Sequence, residues 1–387
     1  MSMRIKTRTI SCAVIFTLSS MMALGSGKHA AKAETVLVSA NGAGTGSGNG
    51  FSFAPVMSAD GRFVAFESLA TDLVPDDANG DFDVFVRDLK TGTTTLVSAN
   101  RAGTGSGNGF SFAPAISADG RFVAFESFAT DLVADDDANA DFDVFVRDLK
   151  TGTTTLISVN RAGGGSGNGF SSAPAISADG RLVAFESVAG DLVDNDTNGD
   201  IDVFVRDLKT DTTTLVSVNY AGTNSGNSQS RFPVFSADGR SVAFDSLAGD
   251  LVANDTNGSG DVFVRDLKTG TTTLVSVNRA GTDTGNNGSF ARTISADGRF
   301  VLYESSASDL VVNDLNGHED VFVCDMKTGT TTLVSVNRAG TRSGNGFSTA
   351  PAISSDGRLV AFFSEASDLI AGDTNDDVDV FVRSLKR

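Results

Sequence analysis

Ser117-Ala-Asp-Gly-Arg-Phe-Val-Ala-Phe-Glu-Ser127 is followed, after an acidic loop, by Asp143-Val-Phe-Val-Arg-Asp-Leu-Lys-Thr-Gly-Thr-Thr-Thr-Leu156. Asp119-Gly120 and Lys150-Thr151-Gly152 separate runs rich in β-branched and aromatic residues, which is a hairpin signature. Ala113–Ser117, small and apolar, supplies a further strand ahead of the first turn. The unit therefore reads as four short strands, and no segment of it has a helical period.

The unit recurs. Asp-Gly-Arg begins at Asp60, Asp119, Asp179, Asp238, Asp297 and Asp356, at intervals of 59 or 60 residues. Six four-stranded units of this size predict an all-β fold, a six-bladed β-propeller of antiparallel blades. Thr35-Val-Leu-Val-Ser39 matches the fourth strand of a unit, whereas the sixth unit stops at its third strand, Val380–Leu385. The expectation is a ring closed by the N-terminal strand completing the last blade.

Residues 1–33 read as a secretory leader. Arg4, Lys6 and Arg8 precede an apolar stretch from Ser11 to Leu24, and Ala31-Lys32-Ala33 offers a small-x-small cleavage site. The apolar run is short for a membrane span, so no transmembrane segment is expected. The domain organisation is then 1–33, signal peptide, and 34–387, propeller. Removing residues 1–33 takes five positive charges and no acid from totals of 30 and 48, leaving a net charge of −23. A surface of that sign repels nucleic acid and anionic lipid. One cysteine, Cys324, and one histidine, His318, remain. They cannot form a disulfide framework or a multi-histidine metal site. Cys324 replaces an arginine of strand three and reads as an apolar filler.

The strings S-A-D-G-R-x-V-A-F-x-S, D-V-F-V-R-D-L and K-T-G-T-T-T-L-V-S resemble the propeller repeats of TolB and its bacterial relatives. The resemblance covers nearly all of residues 35–387. It implies a propeller and an exported, periplasmic or extracellular location. TolB carries an α/β domain before its propeller that this sequence does not match, so the resemblance does not bring TolB's envelope role with it.

Several positions recur in every unit. Asn49 and Ser52, with their equivalents, lie in a Gly-rich loop before strand one; their pattern suits loop and turn chemistry. Strand two carries Glu67, Glu126, Glu186, Asp245 and Glu304, but Phe363 in the sixth unit. Strand three carries Arg87 and its equivalents, but Cys324 in the fifth. The acid and the base are lost in different units, so they read as separate charges and not as a pair.

The loop between strands two and three holds the sharpest chemical signal. Four units contain Asp-x-Asn-x-Asp-x-Asp: Asp77, Asn79, Asp81 and Asp83; Asp137, Asn139, Asp141 and Asp143; Asp196, Asn198, Asp200 and Asp202; Asp373, Asn375, Asp377 and Asp379. Alternating hard oxygens on a curved loop suit calcium, which takes six to eight of them. Phe82 stands where an EF-hand has glycine, and the bidentate Glu is missing. Ser259 and His318 interrupt the other two loops at the fifth position, so those loops are expected to bind weakly or not at all.

Two function classes fit. The first is a non-enzymatic scaffold, a monomer that binds an unidentified protein or polysaccharide partner. The second is a carboxylate-based hydrolase or lyase acting on a polysaccharide at the channel mouth. The sequence has no Trp for a sugar platform and no G-x-S-x-G elbow. Unlike residues gathered in one sector of the loop face would mark the enzyme; an evenly acidic ring would mark the scaffold.

Overall fold

Each unit folds as its turn residues dictate. In the first, strands Ser52–Met57, Phe63–Ser68, Asp83–Asp88 and Thr93–Leu96 pair antiparallel in sequence order. The computed structural model describes residues 35–387 apart from 135–138, 376, 386 and 387. The predicted leader and Asp137 therefore lie outside the described residues. Those residues form five four-stranded sheets and a sixth of three strands. This is the six-bladed all-β propeller expected. None of its elements is a helix long and apolar enough to cross a membrane.

First strands line the axis. Ala54-Pro55, Ala113-Pro114, Ala173-Pro174, Phe232-Pro233, Arg292 and Pro351-Ala352 border a central channel of about 370 Å³. Ala54, Ala113, Ala173, Phe232 and Ala350 adopt φ between 49° and 53°. The register against strand two shifts there, a bulge that turns the strand along the channel. A left-handed alanine costs about 1–2 kcal/mol, which glycine relieves at some loss of chain entropy. Ala113→Gly is thus expected to raise stability by about 0.5–1 kcal/mol. Thermal unfolding checks this; a lower melting temperature would mean that the methyl group of Ala113 contributes more packing than its backbone costs.

Blades join through apolar cores. Ala65, Val84, Val86 and Val97 of blade one pack with Val123, Phe125, Ala129 and Leu132 of blade two, and similar clusters link each later pair up to blades five and six. The Asp-Gly turn helps to dock them. Gly120 has φ 71°, and a Cβ there would stand 2.2 Å from the Phe63 ring of the preceding blade. The following arginine ties the edge of its own blade: Arg62 Nε and Nη2 donate to the two Asp88 carboxylate oxygens at 3.0 and 2.6 Å. Four more blades repeat this pair. The sixth has Ser384 in place of the aspartate.

The expected closing strand is a correction. Residues 35–39 are not a strand and do not pair with Asp379–Ser384. They lie on blade one, where Val38 packs against Phe66 and Leu73, and Gly48 N donates to Ser39 O at 2.8 Å. The outer edge of blade six stays open, with Val380 and Val382 67% and 66% exposed. No buried apolar cluster among the described residues joins blade six to blade one. The physical reason lies in strand two. Glu67 Oε1 accepts from Ala113 N of the next blade at 2.7 Å; Glu126, Glu186, Asp245 and Glu304 make the same clip. Phe363 of blade six has no acceptor to offer Ala54.

Candidate functional site

The long loops before strand one and between strands two and three share one face. In the Gly-rich loop, Asn49 Oδ1 accepts from Thr71 N, and Asn49 Nδ2 donates to Thr71 Oγ1. Ser52 and Ser68 hydroxyls bond at 2.9 Å. These repeated side chains have the structural role their pattern suggested, but they brace one loop to the next and do not bond their own backbone. Asp72 extends the brace by accepting from Asn49 N.

The acidic loop places its residues unequally. Asp77 and Asp83 are buried, whereas Asp81 is half-exposed. Asn79 is engaged at both ends of its carboxamide: Nδ2 donates to Gly107 O at 2.9 Å, and Oδ1 accepts from Asp81 N. Asn198, Asn257 and Asn316 repeat both bonds. Asp83 Oδ1 accepts from Ser98 Oγ at 2.5 Å, and Asp202, Asp261 and Asp320 do likewise from their own fourth-strand serines. Burial raises the Asp83 carboxyl to about 7 against the help of Ser98, and the Asp77 charge adds to the rise. Asp202, Asp261 and Asp320 also stand at about 7. In blade two, Asp143 keeps its serine bond while Asn139 and Asp141 repeat the turn. In blade six, Asp373 and Asp379 are only half-buried and Asn375 and Asp377 exposed, because no fourth strand covers them.

Residues that sequence reasoning missed give the face its asymmetry. Phenylalanines form a ridge across blades one and two. Phe53 meets Phe82 at 5.2 Å, Phe82 meets Phe112 at 5.5 Å, and Phe112 meets Phe142 at 6.2 Å. Phe110 and Phe128 extend it. Phe51 is 76% exposed, and Phe53, Phe110 and Phe128 are about two-fifths exposed. The signal was a run of Phe at loop ends, concentrated in the first two units.

Blade five holds a charged cluster that the described residues of the other blades do not repeat. Arg292, in place of proline, donates to Glu304 at 2.6 Å, and Thr349 Oγ1 donates to the same carboxylate at 2.6 Å. Burial works against ionisation of Glu304, but the guanidinium overcomes it and holds the carboxyl low. Burial, together with the adjoining Glu304 carboxylate, raises Glu319 to about 7. His318, next to Glu319 in the chain, is exposed. Cys324 is buried in a core cluster, its thiol pushed by burial up to about 11, as suits a filler.

No family model and no curated protein matches the chain. Solved structures do. A prolyl endopeptidase aligns at 14% identity over 87% of this chain and 41% of its own, with a TM-score of 0.53. Dipeptidyl peptidase 4 of Porphyromonas gingivalis aligns at 16% identity over 85% and 43%, with a TM-score of 0.50. TolB of Acinetobacter baumannii aligns at 20% identity over 74% of this chain and 58% of its own, with a TM-score of 0.42. The chain spans about half the length of these three proteins. At such identities the likeness is one of fold, and the chain is a β-propeller whose repeat is similar to that of the TolB-like propellers.

Proposed function

We propose that the protein is an exported, non-enzymatic binding scaffold whose contact surface is the phenylalanine ridge of blades one and two. The single observation that carries this reading is the exposure of linked aromatic rings at one sector of the loop face. Exposed aromatic patches mark interaction surfaces, and large rings dominate their energetics. The sector that differs from the rest is thus one of apolar side chains, which bind but transfer no protons. The accessible Asp81 and Asp141 directly precede Phe82 and Phe142, so the fitting partner is a protein segment with an apolar centre and basic flanks. Location in the periplasm or outside the cell follows from the leader and is part of the proposal. Phe53→Ala combined with Phe112→Ala should cut partner retention at least tenfold in a pull-down from the native secretome, with the fold intact by circular dichroism. Retention of the same proteins by the double variant would sink the reading.

The Arg292–Glu304–Glu319 cluster favours the enzyme as a second reading, since it sets two neighbouring carboxyls to different protonation states. Against a glycosidase, the two carboxyls contact each other directly. Such enzymes separate theirs by about 5 Å or more. Polysaccharide hydrolysis that is abolished by Glu319→Gln would replace the scaffold with this reading.

A further inference from the structure

We propose that the carboxylates at the first and seventh positions of the acidic loop, Asp77 with Asp83, Asp196 with Asp202, Asp255 with Asp261 and Asp314 with Asp320, each hold one calcium ion. The inference is independent of the scaffold reading. Its starting point is a set of buried acceptors. Both carboxylate oxygens of Asp77, Asp196 and Asp255, and Oδ1 of Asp314, are shielded from solvent and receive no well-formed hydrogen bond, although the Ser106, Ser225 and Ser343 hydroxyls stand beside Asp77, Asp196 and Asp314. These four residues are between 3% and 8% exposed. Oδ2 of Asp83, Asp202 and Asp320 is in the same condition. Folded proteins satisfy nearly all such atoms, and here the unmet demand recurs at four junctions.

The chemistry of the donors selects the cation. All are hard oxygens, with no thiolate or imidazole among them, which suits calcium or magnesium. Two carboxylates on an irregular loop leave the remaining positions to water and backbone, a flexible set that calcium accepts and octahedral magnesium does not. Asp255 has the least satisfied carboxylate of the four, whereas Asp261 opposite it already accepts from Ser276 and Asn257. The charges of Asp250 and Asp283 bear on Asp255 as well, and Thr256 Oγ1 holds Asp283 in place at 2.6 Å.

This assignment differs from the alternating-ligand reading of the sequence. The third-position Asn is occupied in bracing the next loop, and the fifth position is half-buried or exposed. The fifth position can therefore be Asp, Ser or His without consequence. The first and seventh are Asp in all six units. The loops with Ser259 and His318 bind calcium as the others do.

The test is calcium titration calorimetry on the full chain, stripped with EDTA and dialysed into high salt to suppress loose counterions. Wild type should show saturable heat that magnesium does not reproduce. Asp255→Asn and Asp314→Asn should each lose one equivalent. Ser259→Ala, His318→Ala and Asp81→Ala should lose none. An unchanged stoichiometry in Asp255→Asn, or an equivalent lost in Asp81→Ala, overturns the assignment. If the Asn variants misfold, the wild-type isotherm still decides: absence of saturable calcium heat overturns the proposal outright.

Discussion

Replacing Glu304 by leucine is expected to lower stability by about 3–5 kcal/mol, the range for removing one partner of a buried ion pair. The Glu304 side chain is fully buried. It receives Arg292, the Thr349 hydroxyl and Ala350 N of blade six. Leucine leaves a guanidinium without its anion and a backbone N–H without its acceptor, while it fills the space. The clip between blades five and six is lost in the same step. Urea unfolding measures the change. Glu304→Gln, which can still accept from Ala350, should recover part of it. A loss below about 1 kcal/mol would place Glu304 among ordinary surface charges.

Phe204→Ala should cost about 3–5 kcal/mol for a different reason. Phe204 is fully buried, stacks on Phe185 at 5.7 Å, and packs with Val144, Val146 and Ile157 of the preceding blade. The ring thus belongs to the joint between two blades as much as to its own sheet. A cavity there opens at an interface of rigid sheets, where collapse is hard. Thermal unfolding should show a drop of several degrees, and Phe204→Leu a much smaller one. Equal melting of Phe204→Ala and wild type would mean that sheet pairing alone carries the blade.

The repeat was legible because Asp-Gly and Thr-Gly turns fix strand ends locally, and so six blades could be counted. Cys324 was legible because its role needs only a buried strand position, whereas Asn49 and Ser52 were legible as loop residues but not in their partners, Thr71 and Ser68, which the hairpin brings back from 22 and 16 residues away. Glu67 was legible only as a charge that Arg87 does not pair. Its partner is a backbone N–H 46 residues away, and a backbone group leaves no trace in composition. Arg87 donates instead to Thr94. The acidic string showed which residues could meet a cation but not which the loop curvature buries. Phe82 illustrates the same gap. In sequence it is a departure from a calcium loop; in the fold it is a rung of the aromatic ridge. The match between residues 35–39 and a fourth strand showed what could pair, while Phe363 removed the acceptor that secures every other junction.

Phe363 makes the molecule a split ring. Among the described residues, five joints are clipped and cored, and one is neither. The six first strands that border the channel are carried on that ring, so the seam between blades six and one is the joint with least to lose when the bore changes. No hydrogen bond within a blade has to break for the channel to widen.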